Sequence, residues 1–364
     1  VASEKITERA SLARARRVIV KIGSRTLASD RKVYERLAAA VASLHEEGRA
    51  VVIVSSGAIA LGTRKLGYRG RPKEMARLQA SAAAGQSVLM QAYEEAFAPR
   101  KLTIAQVLLT HADLADRVRG NNARAALGAL LDAGAIPILN ENDSVAVDEI
   151  RFGDNDQLSA MVAPLVDADL LFLLSDVEGL LDASGARVRI VRDVERDALP
   201  LVRASAANSV GSGGMASKIE AARRATLAGA NVVVADARQD GVIEAAVAGE
   251  DVGTLFVKSP RRMSAKKHWI AFTLRPRGDV VLDRGAADAV RAKGTSVLPV
   301  GVLGVRGDFR AGDSVRLLDP DAKEIGRGLA RYPSVEAVLV AGKARGDLDA
   351  DRAVLVHRDD LVVW

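Results

Sequence analysis

No cysteine occurs in the chain, which excludes a disulfide scaffold, thiol catalysis and Cys-ligated zinc or iron. Histidine is scarce: His45, His111, His268 and His357 are scattered without metal-ligand spacing and read as surface or packing residues. Aromatics make up only 3% of the residues, too few to supply the stacking platforms of an RNA binder. No apolar run approaches the roughly 20 residues of a membrane span. The N-terminal VASEKITERASLARARR also lacks the hydrophobic stretch of a signal peptide, so a soluble, cytoplasmic protein is the expectation. Lys and Arg outnumber Asp and Glu by 52 to 46, a diffuse basic excess compatible with anionic ligands.

What is present is an alternation of short β-branched runs with long Ala-rich amphipathic stretches, from Arg17 to about Phe256. That pattern predicts an α/β fold, an open, mainly parallel sheet covered by helices on both faces. Strands are predicted at 18–23, 50–56, 103–109, 135–140, 169–176 and 231–236, with a hairpin-like patch at 186–194. Helices are predicted at 30–47, 72–98, 122–133 and 215–228. After Val257 the basic stretch KSPRRMSAKKHW gives way to short strands separated by Gly and Asp, which predicts a small β-barrel. At 364 residues two domains are expected. The expected division is an N-terminal extension at 1–15, a catalytic domain at 16–257, a linker at 258–276, the small domain at 277–357 and a tail at 358–364.

Polar groups collect at the predicted carboxyl ends of the parallel strands, where open α/β sheets bind ligands. They are Lys21 and Ser24, Ser55 to Gly57, Asn140 to Asp143, and Ser175 with Asp176. The segment from Asn140 to Ser159, NENDSVAVDEIRFGDNDQLS, carries six Asp or Glu and three Asn, a density that calls for a cationic partner. Lys21, Lys218 and a bound metal are the candidates. The loop VGSGGMASK runs into a helix, so its amides can hold phosphate while Lys218 adds full charge. It is not a Walker loop, and no GxGxxG follows the first strand, which disfavours a dinucleotide dehydrogenase. Lysines facing carboxylates suggest phosphoryl transfer. A carboxylate acceptor would need no general base, in keeping with the lack of histidine near these motifs.

VIVKIGS, IVSSGAIALG, PILNENDSVAVDEIRFGDNDQLSA, LLSDVEGL and SGGMASKIEAA, in this order, resemble the glutamate 5-kinases of the amino-acid kinase family. DVVLDRGAADAV, KGTSVLPVGV, GDFRAGDSVRL, IGRGLARY and VHRDD resemble the PUA domain attached to many bacterial members. The resemblance implies ATP-dependent phosphorylation of the L-glutamate γ-carboxylate, with Mg²⁺, as the first step of proline biosynthesis. Carried over by position, it places Ser56, Asp143 and Asn155 on glutamate. Lys21, Ser175, Asp176 and the segment Ser212, Gly213, Gly214, Met215, Ala216, Ser217 and Lys218 would bind ATP. Asp143 can pair with the substrate ammonium, Asn155 and Ser56 can donate to a carboxylate, and Lys21 and Lys218 can straddle the phosphoryl group. Asp156 would orient both lysines and complete the catalytic set. Glu141, Asp148 and Glu149 are expected to be solvated or supporting carboxylates, and no protein ligand is assigned to a metal.

The resemblance also implies feedback inhibition by L-proline and assembly into a homo-oligomer, dimer or tetramer. Two alternatives stay open, another member such as an acetylglutamate kinase, or an RNA-binding PUA protein with a vestigial kinase fold. The chain departs from the usual KxGTS pattern after its first strand, with Arg25 where a small hydroxyl is expected. Ser175 and Ser212 stand where Thr is common, and Leu181 replaces a frequent aromatic.

Overall fold

A computed structural model describes residues 8–29, 32–146, 154–202 and 213–364. The chain divides into two compact units, Val1–Arg262 and Met263–Trp364.

The first unit is built on an eight-stranded sheet. Its strands are β1 (Arg17–Ile22), β2 (Ala50–Ser55), β3 (Ile104–Leu109), β4 (Ile136–Glu141), β5 (Leu170–Ser175), β6 (Ile190–Val191), β7 (Asn231–Asp236) and β8 (Thr254–Phe256). They lie in the order β3-β4-β2-β1-β5-β7-β8-β6. All neighbours from β3 to β7 pair in parallel; β8 runs antiparallel to β7, and β6 runs alongside β8 in the same reversed direction. The chain leaves β1 toward β2 on one side and later returns to β5 on the other. The loops beyond β1 therefore part to leave a crevice at the strand ends.

Period-two alternation sends each strand's side chains into two separate cores. Val18, Val20 and Ile22 face one layer with Val51, Ile53 and Phe172; Ile19 faces the other with Val52, Val54, Leu171 and Leu173. The helices Lys32–Glu46 and Met75–Phe97 cover the first layer, through Leu37, Val41, Leu89 and Phe97. The helices Asp154–Val162 and Gly213–Ala228 cover the second, through Leu158, Met161, Ile219 and Ala222. Lys21 follows Ile19 in the alternation, so it falls on this second face.

Several helix limits differ from the sequence reading for local reasons. The Arg117–Asp132 helix begins five residues before the predicted Asn122, because the Asp116 carboxylate accepts from the backbone N–H groups of Val118 and Arg119. The RVRGN stretch has no apolar periodicity to betray its first turn. Pro72 does not open the long helix, which starts at Met75. A separate helix, Ala58–Lys65, precedes it and crosses it at close range. A β-carbon on Gly62 would overlap the Ser81 carbonyl oxygen, and one on Gly85 would overlap that of Ala58. The predicted 186–194 hairpin is reduced to an isolated antiparallel bridge, Leu181 to Arg187, after which β6 pairs in parallel with β8.

The second unit carries a five-stranded sheet, β9 (Gly278–Leu282), β10 (Val302–Gly307), β11 (Ser314–Leu318), β12 (Glu324–Ala330) and β13 (Val356–Val363), in the order β10-β9-β11-β12-β13. A bridge from Val297 to Val356 ties the stretch before β10 to the opposite edge strand, curling the sheet around Val280, Leu282, Phe309, Val315 and Leu361. Residues 358–363, expected as a tail, lie in β13 and pair with β12. Much of the expected linker is also structured. The Ser264 side chain caps the Ala265–His268 helix, Lys266 pairs with Asp360, and Arg327 donates to the Ala271 carbonyl at 3.0 Å. Apolar Trp269, Ile270 and Phe272, which directly follow the basic residues, are the signal that this stretch packs.

Candidate active site

Lys21 stands at the end of β1, hydrogen-bonded on both sides by β2 and β5, and its side chain is 6% exposed. A lone ammonium so placed would cost several kcal/mol. Asp156 offsets this from the first turn of the Asp154–Val162 helix, with its carboxylate 1% exposed and Oδ1 2.5 Å from Lys21 Nζ. The other oxygen, Oδ2, lies 3.4 Å from Lys218 Nζ, which also donates to the Gly214 carbonyl at 3.3 Å. One buried carboxylate therefore holds two ammonium groups that come from positions 197 residues apart in the chain. Burial holds the Lys21 pKa below the usual lysine value; Asp156 opposes that shift and Lys218 reinforces it. The two helices are kept in register by Gln157, whose Nε2 donates to the Ser217 carbonyl at 3.1 Å.

A second polar group lies beside the first. Asn155 Nδ2 donates to Ser56 Oγ and to Asn140 Oδ1, each at 3.0 Å, which brings together the ends of β2 and β4 and the start of the helix. Both Nδ2 hydrogens are thus engaged. Asn155 cannot donate to a substrate carboxylate as expected; its open atom is Oδ1, which is buried without a hydrogen-bond partner. Ser56 Oγ accepts this bond and keeps its own hydrogen for a ligand. The turn that aims Ser56 needs Gly57, whose φ of 101° lies in the left-handed region. Ser55 behind it is fully buried and receives a hydrogen bond from Tyr93 OH at 2.9 Å. Asp143 lies in the turn after β4 and is half-buried. Glu141 closes β4, likewise half-buried.

On the other side of the crevice, Ser175 ends β5 with a buried hydroxyl that has no hydrogen-bond partner. Asp176 follows it. Arg25, the residue out of pattern, reaches Asp176 Oδ2 at 2.7 Å, and Arg238 donates to the Asp176 carbonyl at 3.2 Å. The substituted arginine is therefore engaged at this end of the crevice. Gly213 to Lys218 form the first turns of the Gly213–Ala228 helix, with Gly214 and Ala216 exposed and Met215 and Ser217 half-buried. Ser212, Asp148 and Glu149 lie outside the described residues. The sequence reading missed Gln86 and Gln157. Gln86 had a faint signal as an amide between buried Gly85 and Leu89 on an Ala-rich helix that also carries Gln79 and Gln91.

A mainly parallel sheet with two lysines sharing one carboxylate at its strand ends is the framework of a phosphoryl-transferring α/β enzyme. Residues 16–236 match the model of the amino acid kinase family, and residues 278–350 match that of the PUA domain. The chain belongs to the amino acid kinase family, in its glutamate 5-kinase branch. It is 47% identical over 361 residues to the glutamate 5-kinase of Thermus thermophilus, covering 96% of this chain and 97% of that one. It is 45% identical to that of Trichlorobacter lovleyi, with 98% of each chain covered. Among solved structures, N-acetylglutamate synthase from Neisseria gonorrhoeae, complexed with coenzyme A and N-acetyl-glutamate, superposes with a TM-score of 0.53. At 17% identity, over 71% of this chain and 64% of that one, it shares the fold alone.

Proposed function

We propose that this chain transfers the γ-phosphoryl group of ATP to the side-chain carboxylate of L-glutamate, yielding L-glutamyl 5-phosphate and ADP, the first step of proline biosynthesis. The observation that carries this reading is the pair of ammonium groups, Lys21 and Lys218, on the single carboxylate of Asp156. A carboxylate oxygen of glutamate forms the new bond to Pγ, and the bond from Pγ to the bridging oxygen breaks, leaving its electron pair on ADP. The acceptor is ionised at neutral pH and surrenders no proton, so the task is to overcome repulsion between two anions. Lys21 and Lys218 supply that neutralisation, and Asp156 positions them.

In this reading Ser56, Asp143 and Asn155 bind glutamate. Lys21, Ser175, Asp176 and the residues from Ser212 to Lys218 bind ATP, with the open Ser175 hydroxyl available to the nucleotide. Catalysis is assigned to residues 16–257. Among the described residues no group of three or more His, Asp or Glu side chains is placed to hold a metal ion. We propose that Mg²⁺ would reach the site on the phosphate oxygens of ATP and help neutralise their charge. Feedback inhibition by L-proline and assembly into a homo-oligomer accompany the proposal, and are checked by inhibition assay and light scattering. Among the described residues no helix is long and apolar enough to cross a membrane.

The test is incubation with Mg·ATP and L-glutamate, N-acetyl-L-glutamate or L-aspartate, trapping any acyl phosphate with hydroxylamine. Hydroxamate is expected from L-glutamate and not from the other two. Its absence with L-glutamate refutes the assignment, and a larger yield from the N-acetyl compound would make the chain an acetylglutamate kinase.

A further inference from the structure

Resting on the reading of L-glutamate as substrate, we infer that Gln86 is a positioning residue that acts through Asn140 to hold in place the carbonyl oxygen of Asn155, whose direction the Glu141 N–H sets, toward the substrate ammonium, so that the site selects a free amino group. The argument starts from a backbone N–H that can only donate. Glu141 N lies 2.9 Å from Asn140 Oδ1, which fixes that atom as the oxygen and Nδ2 as the nitrogen of the Asn140 amide. Gln86 faces Nδ2 at 3.0 Å and must present Oε1 to it. Asn155 faces the Asn140 oxygen at 3.0 Å and must present Nδ2, whose second hydrogen goes to Ser56 Oγ. Flipping any one amide would set oxygen against oxygen or nitrogen against nitrogen, so the three amides turn as a set and the backbone decides which way.

The outcome is that Asn155 Oδ1 is left buried and without a partner, an acceptor awaiting a donor. A buried acceptor of this kind is costly to leave unmatched. It fits an ammonium and is ill matched to an acylated nitrogen, which has one hydrogen instead of three and carries added bulk. Gln86 is held at the required height by its neighbour Gly85, which lets the Met75–Phe97 helix approach the Ala58–Lys65 helix at backbone contact.

Two variants and one substrate analogue test this. Gln86→Met keeps the bulk but removes the acceptor that holds Asn140; Gln86→Glu keeps an acceptor oxygen. Glutarate is L-glutamate without its amino group. In the unaltered protein L-glutamate is expected to be preferred over glutarate in kcat/KM. In Gln86→Met the KM for L-glutamate should rise about tenfold or more, with the KM for ATP unchanged, and the preference over glutarate should shrink by the same factor. Gln86→Glu should retain the preference within about threefold. Thermal unfolding and the ATP KM separate a folding defect from the expected effect. An unchanged preference in Gln86→Met overturns the inference. Loss in both variants also overturns it, because it would place Gln86 directly on the substrate. Failure of the unaltered protein to act on L-glutamate would instead remove the functional reading beneath it.

Discussion

Lys218→Ala is expected to lower kcat by about 10²–10³-fold while changing the KM for L-glutamate only a few-fold. The side chain reaches the site from the Gly213–Ala228 helix and meets Asp156 Oδ2 at 3.4 Å, whereas Asn155 is hydrogen-bonded to Ser56 and Asn140. In the proposed reading its charge acts on the transferring phosphoryl group and little on the bound amino acid. Steady-state kinetics with each substrate varied in turn reads the split; equal loss in kcat and glutamate affinity would place Lys218 on the amino acid. Asp156→Asn gives the companion result. Burial already lowers the Lys21 pKa, and Asp156 opposes that shift. Without the carboxylate the pKa falls further, so Lys21 loses its proton at a lower pH. The alkaline limb of the kcat profile should move toward neutrality, and a pH series that leaves the limb in place would show that Lys21 does not govern it.

The second large effect concerns folding. Gly62→Ala or Gly85→Ala is expected to destabilise the first unit by about 3 kcal/mol, the upper part of the usual overpacking range, read as a fall of several degrees in the thermal midpoint. In each case the added carbon meets a backbone carbonyl oxygen of the opposing helix, which cannot rotate away as a side chain would. The two helices must separate. That would move Ser56 and Gly57 at the start of one helix and Gln86 and Tyr93 on the other, so activity should decline along with stability. Gly70→Ala is the control, since a β-carbon there meets no atom within 4 Å. A midpoint equal to that of the control would mean that the crossing yields at little cost.

Much of the sheet was legible because parallel strands buried on both faces are continuously apolar, and short runs such as LLFLLS and NVVVAD, bounded by polar residues, are strand-length and not helix-length. Helix starts were less legible where a polar first turn is held by a cap, as at Asp116, and not by burial. Lys21, Asp156 and Lys218 stood out individually as charges at strand and helix ends. Their sharing of one carboxylate was an expectation that only coordinates could give in ångströms.

Hydrogen-bond direction was beyond reach of the sequence altogether. Asn155 looks like a donor on paper, because asparagine carries two N–H groups; both are spent on Ser56 and Asn140. Gln86 gave almost no warning, since it is one of three glutamines on an Ala-rich helix and resembles a solvated surface residue until the helix is packed.

By itself, the order of apolar runs and polar strand ends determined the α/β class and the set of charges available for phosphoryl transfer. Those properties follow from residue type and near-neighbour spacing. The tertiary structure decided which groups share a partner and which atoms remain open, because residues distant in sequence compete there for a fixed number of donors and acceptors in a space closed to water.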